Sequence, residues 1–335
     1  MANEGVYLVT GATGFVGSHV AEECVRRRIP VRTLARPRSD THLLQKLGVE
    51  IVRGELGDPA ALTQALADVR VVIHCAAKVG DWGPVEEYRR VNVEALRQLL
   101  EAARQRALQR FVHLSTLGVY EARDHFGTDE SVAPPDVHMD GYTQSKVEAE
   151  KLVLHYHHLH GMPVVILRPG FIYGPRDRTV LPKLLENLRA GKVKYLGNPE
   201  KLMNTIGIDN LVQAIFLAVE KPQAIGRIYN LTDGEPVSKR RFLETVAHLA
   251  GVQPPRGTVP LWLARRLAVV METIARWRGA TSAPRLTRAR LKFLGYNLDF
   301  SIERARNELG YCPQVPFDQG IRAAVDWWVN CRASA

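Results

Sequence analysis

From Val6 to Pro169 the chain alternates short apolar runs with stretches patterned for helices, and this rhythm limits the fold more than any other feature. The runs VYLVT, VRTLA, EIVRG, RVVIHCAA, RFVHLST and PVVILRP are separated by helical patterns near residues 15–28, 40–47, 59–67 and 86–106, and by a helix that carries Tyr142. Runs apolar on both faces suit strands covered by helices on both sides. Parallel neighbours need long crossovers, which the helical stretches supply. The pattern predicts an α/β fold built on a doubly wound parallel sheet.

The first crossover opens with TGATGFVG, which sets Gly11, Gly14 and Gly17 between a strand and a helix. Glycine there permits a tight turn, a close approach of the backbone to a pyrophosphate and close packing of helix on strand. The helix N-terminus then faces the anion. Gly11, Thr13, Gly14, Phe15, Val16 and Gly17 are therefore candidate dinucleotide contacts, and the sheet is expected to be Rossmann-like. The second strand ends in VRTLARPRSD, where an NAD site usually carries an acid for the ribose 2′-hydroxyl. Ala35 holds that position, followed by Arg36, with Arg32 and Arg38 nearby. A guanidinium suits a 2′-phosphate, so NADP(H) is expected over NAD(H).

Beyond about residue 176 proline and glycine punctuate the chain, one strand-and-helix unit (TIGIDNLVQAIFLAVE) returns, and a basic helical region follows residue 236. The expected division is a dinucleotide-binding domain over 1–175, rejoined by 204–235. Residues 176–203 and 236–335 would form a smaller, mainly helical substrate lobe.

With 335 residues, 46% of them hydrophobic, the chain can bury a large core. Four scattered cysteines suggest neither a disulfide framework nor a zinc site. The run HYHHLHG ends a helix, where imidazoles suit the negative end of the dipole, and no metal is expected. No signal-peptide pattern opens the chain and no apolar run approaches the roughly 18 residues of a spanning helix, so a cytoplasmic protein is expected. The net charge is +10. Residues 256–306 hold eleven Lys/Arg against three Asp/Glu, so +8 of it lies there. Without a recognisable module or interleaved aromatics this surplus does not read as a nucleic-acid site. In LWLARRLAVVMETIARWRG, Arg265, Arg266, Glu272, Thr273 and Arg276 share one arc of a helical wheel, apart from Leu263, Leu267, Val270, Ile274 and Trp277. A basic amphipathic helix over 261–278 packs on a core as a lid or dimer helix, or rests in a membrane interface.

Tyr142 and Lys146 stand four residues apart, one turn on the same helical face. A free phenol has a pKa of about 10, too high for proton exchange at neutral pH, and a nearby ammonium would lower it. Ser115 and Thr116, where the preceding strand ends, offer hydroxyls for a substrate oxygen. These are the parts of a site for hydride transfer between a carbonyl and an alcohol.

Together TGATGFVG, GELGDPAAL, VIHCAA, VNVEAL, HLSTLGVY, YTQSK, LRPGFIYGPRD, IGIDNLVQAI and LGYCP resemble the extended branch of the short-chain dehydrogenase/reductase superfamily, which includes the NAD-dependent epimerases and dehydratases. The resemblance implies that Tyr142 is the acid/base, Lys146 its pKa-lowering partner and a ribose contact, and Thr116 the substrate-oxygen binder with Ser115 beside it. Asn92 would accompany the active-site helix. Glu55 and Leu56 would lie by the adenine, with Glu where the family usually has Asp. Ala76, Ala77 and Lys78 would line the cofactor, with Pro169 near the nicotinamide. A homodimer is the family habit.

Sugar-nucleotide enzymes of this branch read Asn where this chain has Phe171 in RPGFIYGP. The RPGFIYGP form, the pair Asp209 and Asn210, and LTRARLKFLGYNLDFS are more similar to the 3β-hydroxysteroid dehydrogenase and dihydroflavonol reductase-like group, which implies an alcohol or ketone on a bulky apolar ring system. The alternatives are a nucleotide-sugar epimerase or dehydratase and, in another class, a non-catalytic dinucleotide-sensing regulator.

Overall fold

A computed structural model describes residues 5–333. Seven parallel strands form the central sheet: β1 (Val6–Thr10), β2 (Val31–Ala35), β3 (Glu50–Arg53), β4 (Val69–His74), β5 (Arg110–Leu114), β6 (Val164–Pro169) and β7 (Ile228–Leu231). Their order is β7-β6-β5-β4-β1-β2-β3. Connections run one way from β1 to β3 and the other way from β4 to β7, so a crevice opens where β1 and β4 lie side by side.

Helices α1 (Phe15–Arg26), α2 (His42–Lys46), α3 (Pro59–Ala65), α4 (Val85–Arg89), α5 (Ala95–Arg104) and α6 (Gly141–His160) fill the crossovers. On one face α1 and the later helix Ile208–Glu220 bury Val20, Ala21, Leu211 and Ile215 against Val9, Ile73 and Val165. On the other, α3, α5 and α6 bury Leu62, Leu99, Leu100 and Val153 against Leu8, Val72 and Phe111. A separate core joins Leu181, Leu185 and Tyr195 to Phe242, Val246, Phe317 and Val325, and it holds the C-terminal lobe.

The expected rhythm is present, with three differences. The edge strand β7 (IYNL) escaped the sequence reading, since it is only four residues long and is followed by a turn. The TIG run does not enter the main sheet but pairs with Phe171–Tyr173 beside it. The helix expected over 86–106 is interrupted by a π turn at Arg90–Glu94, and such turns are frequent at functional sites.

The helix that carries the tyrosine is fixed at both ends. The Asp140 side chain accepts from the Thr143 N–H at 2.8 Å, and Gly161 closes the C-terminus at φ +65°. Its middle is tied to β6 by a fully buried pair, Arg168 Nε to Glu150 Oε1 at 2.9 Å and Nη2 to Oε2 at 2.6 Å, with Nη1 donating to the Tyr120 hydroxyl. Removing one partner strands the other charge, so Glu150→Ala should lower unfolding free energy by about 3–5 kcal/mol. The paired change of Arg168 and Glu150 to Met should recover most of that loss in urea denaturation. A single change within about 1 kcal/mol of the parent would show that the pair does not hold α6.

Candidate active site

The chain leaves β1 through Gly11, at φ +72°, and α1 begins after Gly14. A Cβ on Gly11 would lie 2.7 Å from the Ala76 nitrogen, and one on Gly17 would lie 2.4 Å from the Gly11 carbonyl oxygen. Both neighbours are backbone and cannot yield. Thr13 and Gly14 are exposed at the turn, while Phe15 and Val16 lie half-buried in the first turn of α1. That turn has neither an acidic residue nor a side-chain cap, so its amides are left for an external anion. The cradle fits a dinucleotide pyrophosphate, with Ala76, Ala77 and Lys78 continuing from β4 directly opposite.

Around the far end of the cradle, Arg36 is exposed just past β2. Arg32, expected nearby, is committed elsewhere: its Nε pairs with Glu50 at 2.8 Å and its Nη1 donates to the Ala67 carbonyl at 2.5 Å. It points a charge at no ligand. Arg53 instead braces the Arg36 loop, donating to the carbonyls of Arg36 and Ser39 at 3.3 and 3.1 Å. Glu55 is exposed, and Leu56 packs half-buried against the core of the α3 face.

The strand ends bring the expected proton-handling groups together. Thr116 follows β5, its Oγ1 accepting from the Gly118 N–H at 3.0 Å and lying near the Tyr142 hydroxyl. Ser115 beside it is buried, its hydroxyl without a partner among the described residues. Lys146 is buried one turn below Tyr142, its Nζ donating to the Leu114 carbonyl and lying 3.5 Å from His113 Nε2. Pro169 ends β6, paired in register with Leu231.

The electrostatics differ from the sequence expectation. Burial and the Asp140 carboxylate raise the Tyr142 phenol above its ordinary value, and the nearby Thr116 hydroxyl opposes them. The Lys146 ammonium is not among the charges acting on it, because its long side chain descends to the strand end. Burial pushes Lys146 itself down to about 8, with Glu150 and Cys75 opposing.

Four groups near these residues escaped the sequence reading. His74 and His113 face each other in register on β4 and β5, their rings stacked at 5.5 Å, and Thr10 Oγ1 lies 2.8 Å from His74 Nδ1. Burial and the Lys146 charge push His74 down to about 3, so it stays neutral. Asp140 could have been found as an N-cap three residues before Thr143. Lys292 had no local signal: it arrives from the distant helix Arg288–Gly295, donates to the Gly118 carbonyl, and is pushed by burial to about 8.

Asn92 sits in the π turn, which aims it inward. Its Oδ1 accepts from the Lys78 N–H at 2.7 Å, and its Nδ2 donates to the Lys78 carbonyl at 3.0 Å and to Ser145 Oγ at 2.9 Å. The loop beyond Lys78 is fastened to the C-terminal lobe. Arg290 Nε lies 2.5 Å from Asp81 Oδ2, and Trp82 Nε1 donates to the Ala280 carbonyl at 2.9 Å.

Fold and site together define an NAD(P)-dependent enzyme of the Rossmann class. The profile of the NAD dependent epimerase/dehydratase family matches residues 7–232, and the chain belongs to that family. It is 34% identical over 325 residues to a 2-alkyl-3-oxoalkanoate reductase of Stenotrophomonas maltophilia, covering 94% of this chain and 97% of that one. A 4-hydroxy-2-methyl-3-oxo-4-farnesyl-3,4-dihydroquinoline-1-oxide ketoreductase of Stigmatella aurantiaca is 33% identical over 318 residues, 94% of each chain. A 3-beta-hydroxysteroid dehydrogenase of Mycolicibacterium neoaurum is 30% identical over 339 residues, 97% of this chain and 92% of that one. Among solved structures, gox2253 superposes with a TM-score of 0.82 at 32% identity, covering 98% and 99% of the two chains. The UDP-glucuronic acid 4-epimerase from Bacillus cereus with NAD shares the fold, at a TM-score of 0.76 and 24% identity over 97% and 99%. The expected likeness to the hydroxysteroid dehydrogenase group is therefore borne out.

Truncating Asn92 leaves two backbone groups of Lys78 and the Ser145 hydroxyl to find new partners. Asn92→Ala should lower stability by about 1–3 kcal/mol in chemical denaturation and weaken dinucleotide binding in the same protein. Unchanged binding would mean that the Lys78 loop does not shape the cofactor site.

Proposed function

We propose that the chain is an NADP(H)-dependent ketoreductase that interconverts a ketone and an alcohol on a bulky, apolar compound. The observation that carries this reading is the placement of the Tyr142 and Thr116 hydroxyls together at the C-terminal ends of the strands, across from the glycine cradle. Two hydroxyls side by side there can hold one carbonyl oxygen.

Bound NADPH would supply the hydride to the carbonyl carbon. Gly11 and residues 13–17 would hold its pyrophosphate, Arg36 its 2′-phosphate, Glu55 and Leu56 its adenine end, and Ala76, Ala77, Lys78, Lys146 and Pro169 its nicotinamide end. As the carbonyl carbon gains hydride, negative charge builds on its oxygen. Tyr142 gives that oxygen its proton while Thr116 donates a second hydrogen bond. Oxidation of the alcohol runs the same transfers backwards. A phenol kept protonated by burial suits the reductive direction, and Lys146, held at the strand end, would bind the nicotinamide ribose.

The names of the relatives support the substrate class, since two of the three are ketoreductive and the third acts on a steroid alcohol. Phe171 supports it further: its ring packs 5.5 Å from Phe242 and 5.2 Å from Phe293, an aromatic wall where sugar-nucleotide enzymes place an amide. The retained pair of Tyr142 and Lys146 speaks against a non-catalytic sensor.

Tyr142→Phe should cut turnover of a ketone by about 10²–10⁴-fold while NADPH still raises the melting temperature. Undiminished turnover would remove the mechanism. Arg36→Ala should weaken NADPH at least tenfold and leave NADH unchanged, roughly the loss of one charge-assisted contact. Equal weakening of both would place Arg36 outside the 2′-phosphate site. Because Lys146 is charged only below about 8, reductive kcat/KM should fall as pH rises through that value, and Lys146→Arg should shift the fall upward. A profile flat to about pH 10 would release Lys146 from the reaction.

A further inference from the structure

Helix Leu261–Trp277 is built the wrong way round for a surface helix. The residues it turns toward the body are small, Ala264, Ala268 and Ala275, together with Glu272. Its large apolar side chains face outward: Trp262, Leu263, Leu267, Val270, Ile274 and Trp277 are all exposed, Trp277 at 86% and Trp262 at 60%. An ordinary surface helix does the reverse. At 100° per residue, Trp277, Val270, Leu263, Ile274 and Leu267 occupy one arc of about 80°. The body accepts the small side chains, with Ala264 and Ala268 packed against Leu291, and leaves the apolar arc exposed.

The charges around that arc select its occupant. Arg266 and Arg278 are exposed and flank the arc, about 60° from its centre on either side, while Arg265 and Arg276 lie on the opposite side, Arg265 donating to the Tyr296 hydroxyl at 2.6 Å and Arg276 lying 3.6 Å from Glu272. The one acid, Glu272, is buried and taken by Arg288, whose backbone N–H and Nε lie 2.6 and 2.9 Å from its carboxylate. A second copy docked face to face would bring like charges together with no carboxylate to receive them. An anionic lipid surface has the complementary sign.

We propose that this helix is an interfacial anchor, lying along an anionic bilayer with its apolar arc among the upper acyl chains. Trp262 and Trp277, about 22 Å apart along the axis, would sit at headgroup level, and Arg266 and Arg278 would reach the phosphates. The anchor lies on the membrane and does not cross it: among the described residues no helix is long and apolar enough to span one. Just past its C-terminus, Ala280 accepts from Trp82, so the anchor borders the loop that follows the Lys78 side of the site. An apolar substrate dissolved in lipid would meet the enzyme at that edge. This purpose rests on the proposed ketoreductase reading, while the anchoring itself does not.

The test is flotation of the full chain with phosphatidylcholine vesicles, with and without phosphatidylglycerol. The expected result is binding about tenfold or more stronger to the anionic vesicles, weakened by salt. Val270→Glu with Ile274→Glu should abolish flotation without shifting the melting temperature or the reduction of a short water-soluble ketone. Tyr142→Phe should float like the parent, which separates failure of the anchor from failure of the chemistry. Parent protein that stays soluble with anionic vesicles overturns the proposal. So does a double variant that still floats, or a parent dimer that the double variant splits.

Discussion

The close passage of Gly11 past Ala76 is the constraint on which the architecture turns. Two backbones meet there with no room for a single methyl group, and Gly17 brings α1 down on the same point. The meeting fixes β1 against β4 at the place where strand order reverses, and it leaves the amides of α1 facing the crevice. Every group of the site is measured from that junction. Ala76–Lys78 continue from one side of it, Thr116 and Tyr142 stand one strand further along, and Arg36 lies across on the other side. A methyl group at position 11 or 17 would alter the spacing of the sheet as well as the anion cradle.

The second organising choice is the burial of a lysine. Lys146 gives up water for a carbonyl at the end of β5 and the edge of a neutral histidine, and that depresses its own pKa more than it affects the phenol above it. The paired histidines beneath cannot take the proton cheaply in so dry a place. The result is a strand edge whose one mobile charge is the lysine's, next to a phenol that stays neutral until something negative must be resolved.

Much of this was legible in the residues. Buried strands are apolar on both faces, so six of the seven are evident in the sequence, and the glycine spacing marks the crevice. Tyr142, Lys146, Thr116, Asn92 and Ala76 converge because each lies at a strand end or on the helix next to one, which local pattern encodes. What stayed hidden depends on contacts across long separations. Arg32 and Arg36 look equivalent in sequence, and only the placement of Glu50 and Ala67 sends one to structure and the other to solvent. Lys292 reaches Gly118 across 174 residues. The outward face of the 261–277 helix is invisible to a helical wheel, which shows that two faces differ but not which one the body accepts.

The bonds from Asp81 to Arg290 and from Trp82 to Ala280 have a mechanical meaning. They bind the loop that leaves β4 to the C-terminal lobe by one ion pair and one hydrogen bond. The loop after β4 and the C-terminal lobe are thus fastened at two points, so neither can shift without drawing on the other.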